Sequence, residues 1–423
     1  MHIIAALFWF FVSFIIYVYA GYPALVTLAA RLFPAPKPHG TTATPTVTLI
    51  IAAYNEALVI EDKLMNSLEL DYPREKLQII VAADGSDDAT PDIVRRYAGQ
   101  GVELSYDPPR RGKASAINRA MQMASGEIVV FSDANNHYAP DVLKKLTTPF
   151  LDSHVGAATG AKHIAESHHV AAQRSDPILG TSEGLYWRYE SFIKVQETRL
   201  GCCTSVAGEI LAIRGEIFEP LPENIINDDF YIAMRLMRRG YRIIYMPDAQ
   251  SSELASTSAT DERVRRARIV AGRYQALGMI HELLPFRRPL LVWQIISHKY
   301  FRPLVPFAML GALLTNLLAV ALPPRVGVSV WWTLAAPISW MLLLLQVLFY
   351  ALAFAGQFIS FRGRVGKLLY LPTFLLNSNR AALVGLFRYI SGSQTNLWQR
   401  VPRVKPSKQS GPDSRVSNSR ENS

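Results

Sequence analysis

Long charge-free apolar stretches lie towards both ends of this chain, and between them short apolar runs alternate with segments of helical period. The first stretch, from Ile3 to about Ala30, holds no Lys, Arg, Asp or Glu and exceeds the roughly 20 residues that cross a bilayer core. It reads as a transmembrane helix within residues 1–32. Met1-His2 offers no basic n-region, so a signal anchor is expected rather than a cleaved signal peptide. Two more such runs, Pro303 to Leu322 and Val328 to Phe358, are separated by a short turn around Arg325 and read as a transmembrane hairpin. Ahead of them, residues 287–302 mix Trp293, Tyr300 and Phe301 with His298, Lys299 and Arg302. That is the pattern of an amphipathic helix in the interface, or of an extension of the next helix. The last apolar stretch, Leu368 to Ile390, is interrupted by Asn377, Asn379, Arg380 and Arg388, which are costly at bilayer depth. It is expected to be interfacial or re-entrant.

The middle of the chain predicts strands at 47–53 (VTLIIAA), 77–83 (LQIIVAA), 102–106 (VELSY) and 127–132 (EIVVFS), each followed by a helix-like segment. That rhythm is the rhythm of a parallel, doubly wound α/β sheet. Ligands of such sheets collect outside the carboxyl ends of the strands. Asp84 and Asp133 end two of these runs, with Asn135 two residues further on, and Asp228 and Asp229 open a later helix-like segment. An acid at a strand end is most often a cap or turn former, and Thr90 and Asp141 read as helix caps. Asp84 and Asp133 differ, because a charge directly behind a buried apolar run is expensive without a cation or ligand. Carboxylates gathered around one crevice point to a metal-held phosphate and a base.

Composition sharpens this picture: 423 residues, 50% hydrophobic, 18% charged and a net charge of +10 describe neither a disordered chain nor an ordinary soluble domain. Five regions are expected: a helix at 1–32, a proline-rich linker at 33–45, a catalytic domain at 46–285, a membrane region at 286–400 and a basic, disordered tail at 401–423. Arg31 and Lys37 follow the first helix, and Arg362, Arg364 and Lys367 follow the hairpin. The positive-inside tendency then places the catalytic domain in the cytoplasm, at a bacterial inner membrane. The tail adds to binding of anionic lipid. The adjacent Cys202 and Cys203 are poorly placed to bridge each other and too few for a metal cage, so reduced thiols are expected.

In order along the chain, VTLIIAAYNEA, VAADGSDDAT, RRGKASAIN, VVFSDAN, GEILAIR and INDDFYIAMRLMRRGYR resemble the membrane-bound family 2 glycosyltransferases of polysaccharide-synthase type. The resemblance covers about residues 1–400 and implies a GT-A-type, doubly wound mixed sheet flanked by membrane helices. It implies that Ala53, Tyr54, Glu56 and Asp84 bind the donor's base and ribose. Asp133 and Asn135, in place of an Asp-x-Asp motif, would bind a divalent cation, Mg or Mn, on the sugar nucleotide. Asp229 matches the second acid of the family's acidic pair and would be the base, with Asp228 as the first. Gly208 and Glu209 would line the acceptor site. Processive members carry Gln-x-x-Arg-Trp next, whereas this chain has RVRRARIVAGRYQAL: Arg265, Arg266 and Arg268 keep the basic character, the Trp is absent, and Tyr274 lies too far along to replace it.

The chemistry asks for these residue types independently of the resemblance. A nucleoside diphosphate leaves readily only when its developing charge is neutralised, which a hard cation on carboxylate and phosphate oxygens achieves. Asn135 supplies a neutral oxygen where a second carboxylate would be stronger. Lys113 opens a helix-like segment where backbone N–H groups and a cation meet phosphate, or else is a solvated helix-start lysine. The arginines suit a leaving diphosphate or, equally, lipid headgroups. The attacking hydroxyl needs a carboxylate base, and Asn227, Asp228 and Asp229 also read as the cap of the following helix.

The leading expectation is an inverting transfer from a UDP-sugar to a glycan, exopolysaccharide or lipid-linked acceptor, with membrane lipids and export or assembly proteins as partners and no nucleic-acid partner. A nucleotidyltransferase would share the metal and sheet but has no need of a second acidic pair or membrane helices. A noncatalytic assembly component would be expected to have lost its acids, and Asp84, Asp133, Asp228 and Asp229 are intact.

Overall fold

The computed structural model describes residues 2–35, 44–165, 177–254, 259–322, 330–358, 366, 369–395 and 397. Most of the proline-rich linker, Arg325, the basic loop with Arg362, Arg364 and Lys367, and the whole tail lie outside the described residues.

Eight strands form one sheet: β1 (Val47–Ala53), β2 (Leu77–Asp84), β3 (Val102–Asp107), β4 (Ile128–Asp133), β5 (Asn136–Tyr138), β6 (Val155–Ala165), β7 (Leu211–Arg214) and β8 (Arg242–Leu254). Their spatial order is β3-β2-β1-β4-β7-β6-β8-β5. The four strands read from the sequence make the parallel half. The other half departs from the all-parallel rhythm: β7 runs antiparallel to both β4 and β6, and β5 antiparallel to β8. The sheet is therefore mixed, as the resemblance implied.

Alternation along the buried strands feeds two apolar layers. Ile50, Ile80 and Phe131 are register partners on one side, while Leu49, Ile51, Ile79, Val81 and Val130 face the other. Each such fully buried side chain contributes about 1.5–3 kcal/mol. The layers hold the carboxyl ends of β1, β2 and β4 side by side.

The helices that bear on function are α1 (His2–Leu32), α2 (Lys113–Met121), α3 (Pro177–Arg199), α4 (Asp228–Arg238), α5 (Ala259–Gly278), α6 (Pro289–Ala321), α7 (Ile338–Ala355) and α8 (Leu371–Ile390). Among the described residues α1, α6 and α7 are long and apolar enough to cross a membrane. Helix α1 packs on α6, with the Phe11 ring over Gly311 so closely that a Cβ there would meet Phe11 Cε2 at 2.4 Å. Helix α8 lies along α5, where Gly385 rests on the Ala267 carbonyl and the Ala271 N–H.

Residues 287–302 do not present their charges to an interface. From Pro289 they are the start of α6 itself, the extension of the next helix, which continues through a π turn (Ile296–Tyr300) and a 3-10 turn (Arg302–Leu304), and His298 and Lys299 are buried against α3 and its following loop. His298 lies 2.7 Å from Glu197 and 3.2 Å from Glu190, Arg302 pairs with Glu190, and Lys299 donates to Ser205 at 2.6 Å. The basic side chains in this apolar context are thus explained by partners on α3 and its following loop, not by headgroups. Asn379 in α8 is likewise buried, donating to the Tyr19 hydroxyl of α1.

Two expected caps are not made. The Thr90 hydroxyl accepts the Glu56 N–H instead, and Asp141 precedes its helix but pairs with Lys145. Cys202 and Cys203 are free, buried thiols.

Candidate active site

Lys113 is the first residue of α2, placed there by Gly112, whose positive φ of 98° suits glycine. Its ammonium lies 2.6 Å from Asp133 Oδ1 at the end of β4 and 3.7 Å from Asp228 Oδ2 at the start of α4. A small cavity opens between Lys113, Asp133, Asp228 and Arg268. Burial works against the charge on Lys113, but Asp133 and Asp228 outweigh it and raise the ammonium well above its ordinary value. Burial would also raise the Asp133 carboxyl, yet Lys113 holds it below the usual range.

Asp229 stands beside this pair with a different balance. Burial and the neighbouring Asp228 carboxylate push its carboxyl up to about 6, against the Phe230 N–H and Lys113. Its Oδ1 accepts that N–H at 2.7 Å. Gly208 packs directly on it: a Cβ at Gly208 would come within 3.0 Å of Asp229 Cβ. The residue expected at the acceptor wall and the expected base are therefore in contact. Asn227 occupies the cap position of α4 but makes no cap bond, its amide donating to the Ile269 carbonyl.

On the other side of the cleft, Ala53 ends β1 fully buried, and the Tyr54 ring lies 3.7 Å beneath the Arg110 guanidinium. Glu56 starts the turn into the next helix, its N–H donating to Thr90 Oγ1. Asp84 is buried, and its Oδ1 accepts the Arg111 and Gly112 N–H groups at 2.9 Å. Those N–H groups compensate the charge, so Asp84 needs no ligand to be tolerated; it shapes the loop that leads to Lys113.

Behind the cleft lies a layer of residues that sequence reading did not reach. Lys162 on β6 is buried and pairs with Glu253 on β8 and, at 3.3 Å, with Glu209. Both acids overcome the effect of burial and raise the lysine's ammonium, while Glu209, which burial alone would raise, is held low by Lys162. Glu253 in turn accepts the Asn135 amide. Asn136 donates to the Glu209 carbonyl at 2.7 Å and accepts from Lys63 at 3.2 Å and Ser132 at 2.9 Å. Lys63 is fully buried over the Tyr138 ring, and burial pulls its ammonium down to about 7 against the opposing field of Asp133. Lys162, Asn136 and Glu253 come from strands with no apolar run distinct enough to mark them, and Lys63 from the helix Ile60–Leu68; the one signal was a lysine inside the apolar stretch VGAATGAKHIA.

The three arginines of α5 do not act as one stripe. Arg268 lines the cavity and donates to the Ile226 carbonyl, Arg266 lies over the Phe374 ring of α8, and Arg265 is felt electrostatically by Lys162 and Glu209. Tyr274 is buried and donates to the Pro303 carbonyl, tying α5 to α6. Among the described residues no three His, Cys, Asp or Glu side chains converge to hold an ion alone. The Asp133 carboxylate and Asn135 amide are hard oxygen donors, a set that suits a divalent cation sharing its shell with phosphate oxygens.

Comparisons with known proteins agree with this architecture. A mannosyltransferase from Pyrobaculum calidifontis, solved with GDP-Man and Mn2+, superposes with a TM-score of 0.66 over 92% of this chain and 100% of that one, at 24% identity. That likeness speaks for the fold. A poly-beta-1,6-N-acetyl-D-glucosamine synthase from Staphylococcus aureus is 28% identical over 237 residues, 55% of each chain. The probable glycosyltransferase YdaM from Bacillus subtilis is 25% identical over 271 residues, 59% of this chain and 61% of that one. The chain thus matches just over half the length of these curated relatives. Residues 45–272, more than half of the chain and the whole of the sheet, match the family model described as glycosyltransferase like family 2, and the chain belongs to that family.

Proposed function

We propose that the chain catalyses inverting, metal-dependent transfer of a sugar from a nucleotide-activated donor, UDP-linked, to a glycan, polysaccharide or lipid-linked acceptor at the cytoplasmic face of a membrane. The observation that carries this reading is the meeting of Asp133, Lys113 and the Asp228–Asp229 pair in one cleft, with Asp229 pushed up to about 6. A base poised near neutrality is matched to deprotonating a hydroxyl.

In this reading the acceptor hydroxyl lies along Gly208 and passes its proton to Asp229. Its oxygen forms the new bond to the anomeric carbon as the bond to the diphosphate oxygen breaks on the opposite face, which inverts the centre. The departing charge develops next to Lys113 and Arg268, both already turned into the cavity. Asp133 and Asn135 would hold a divalent cation, Mg or Mn, whose part is to neutralise the diphosphate. Tyr54 and the loop organised by Asp84 would receive the nucleotide. The three apolar helices support a multi-pass membrane protein, and Arg31 in the last turn of α1 favours the cytoplasmic placement.

The test uses washed membranes, radiolabelled UDP- and GDP-sugars, and Mg2+ or Mn2+. Transfer from one UDP-sugar, lost in Asp133→Ala and Asp229→Asn, is expected. Unchanged transfer in both variants sinks the assignment of these residues, and release of pyrophosphate from a nucleoside triphosphate would move the chain to nucleotidyl transfer.

A further inference from the structure

The family's usual second carboxylate is replaced here by Asn135, and the neighbourhood of that amide accounts for the replacement. The antiparallel register of β5 on β8 pairs Asn136 with Glu253, so Glu253 is fixed beside the 133–136 loop by the sheet itself. Strand β6 grips Glu253 from the other edge, where Ile164 is its register partner and Lys162 its ion pair. Asn135 Nδ2 donates to Glu253 Oε1. The orientation follows from chemistry as well as coordinates: an ionised carboxylate only accepts, so the NH2 end of the amide must face it and the carbonyl end must face away.

We propose that Glu253 is the positioning residue for Asn135, fixing the amide so that its oxygen, and not its NH2 group, is turned to the cation and diphosphate beside Asp133. The inference rests on the donor-site reading above. It explains why an amide stands at position 135: an aspartate there would set two acceptor-only carboxylates against each other at hydrogen-bond distance, with no donor between them. Lys162 cannot relieve that repulsion alone, because it is already shared with Glu209 at 3.3 Å. Asparagine at 135 and glutamate at 253 therefore form a matched pair.

The pairing makes a prediction of unusual sign, tested with the full-length chain in detergent and Mn2+ as the probe, free ion being read by electron paramagnetic resonance. Adding a carboxylate to a cation site ordinarily tightens binding, yet Asn135→Asp is expected to weaken Mn2+ about tenfold. Glu253→Gln, which frees the amide to turn, is expected to weaken it by about 10-fold as well, the scale of outer-shell changes at metal sites. The double variant Asn135→Asp with Glu253→Gln restores a donor–acceptor pair and is expected to bind Mn2+ at least as well as wild type. Tighter binding by Asn135→Asp alone, or a double variant no better than that single one, overturns the proposal. Thermal unfolding of each variant separates weak binding from misfolding, since rescue in the double variant cannot arise from a fold already lost. Asp133→Asn is the reference: if it leaves Mn2+ binding unchanged, or wild type binds none, the donor-site reading itself fails and this inference with it.

Discussion

Two clusters of charge lie within this molecule, one in the cleft and one where the catalytic sheet meets the apolar helices, and they are built on opposite plans. In the cleft Asp133, Asp228 and Asp229 crowd around Lys113. At the junction the acids are individually satisfied. Glu197 accepts from the Tyr22 hydroxyl, the Thr204 N–H and hydroxyl, and faces His298, while Glu190 faces His298 and Arg302. Asp133 keeps 35% of its side-chain surface exposed, whereas Glu197 and His298 keep none. An open, under-compensated cluster leaves one carboxyl able to take a proton. A sealed one, with each acid bonded, fixes how elements far apart in sequence sit together.

The sharpest way to break this contrast is Asp229→Asn. Loss of a general base is expected to slow transfer about 10²–10⁴-fold, with donor binding by equilibrium dialysis unchanged. Next comes Glu197→Ala, which strands buried partners and is expected to cost about 3–5 kcal/mol, read as a lower unfolding midpoint in detergent. Should that variant instead keep its stability and lose its chemistry, the junction is part of the reaction and the division fails. Asp228→Asn sharpens the cleft side. A base works deprotonated, so with Asp229 at about 6 the rate falls as pH drops through that value. Removing the like charge of Asp228 moves this acid limb to lower pH in a pH–rate profile. The smallest effect is expected for Arg95→Ala, which removes an exposed pair with Asp92 at 2.6 Å and changes stability by less than about 0.5 kcal/mol.

The two clusters also differ in how far the sequence revealed them. Asp133, Asp228 and Asp229 were legible because each follows or opens a periodic segment, and the order of the motifs carried the fold with them. The strands of the parallel half were legible for the same reason, being continuous apolar runs. β6 and β8 were not: VGAATGAKHIA and RIIYMPDAQSSEL dilute their apolar residues with glycine, proline and polar groups. With them went Lys162 and Glu253, and so the reason for Asn135. At the junction, His298 and Arg302 beside Trp293 have the composition of an interfacial helix, and the other expectation, an extension of the next helix, is the one the fold shows. Their partners, Glu190 and Glu197, lie about a hundred residues earlier on α3, a separation that local periodicity does not bridge.

The packing of Phe11 on Gly311 has a consequence for how the chain is made. At roughly 5–20 residues per second, α1 leaves the ribosome ~15–60 s before its partner helix exists. As far as Ala30, α1 holds no Lys, Arg, Asp or Glu that would need a protein partner in that interval. The start of α6 differs, since His298 and Arg302 find their buried acidic partners on α3. The order of synthesis therefore sets the order of contacts: α1 exists first, the acids of α3 next, and the Phe11–Gly311 contact last.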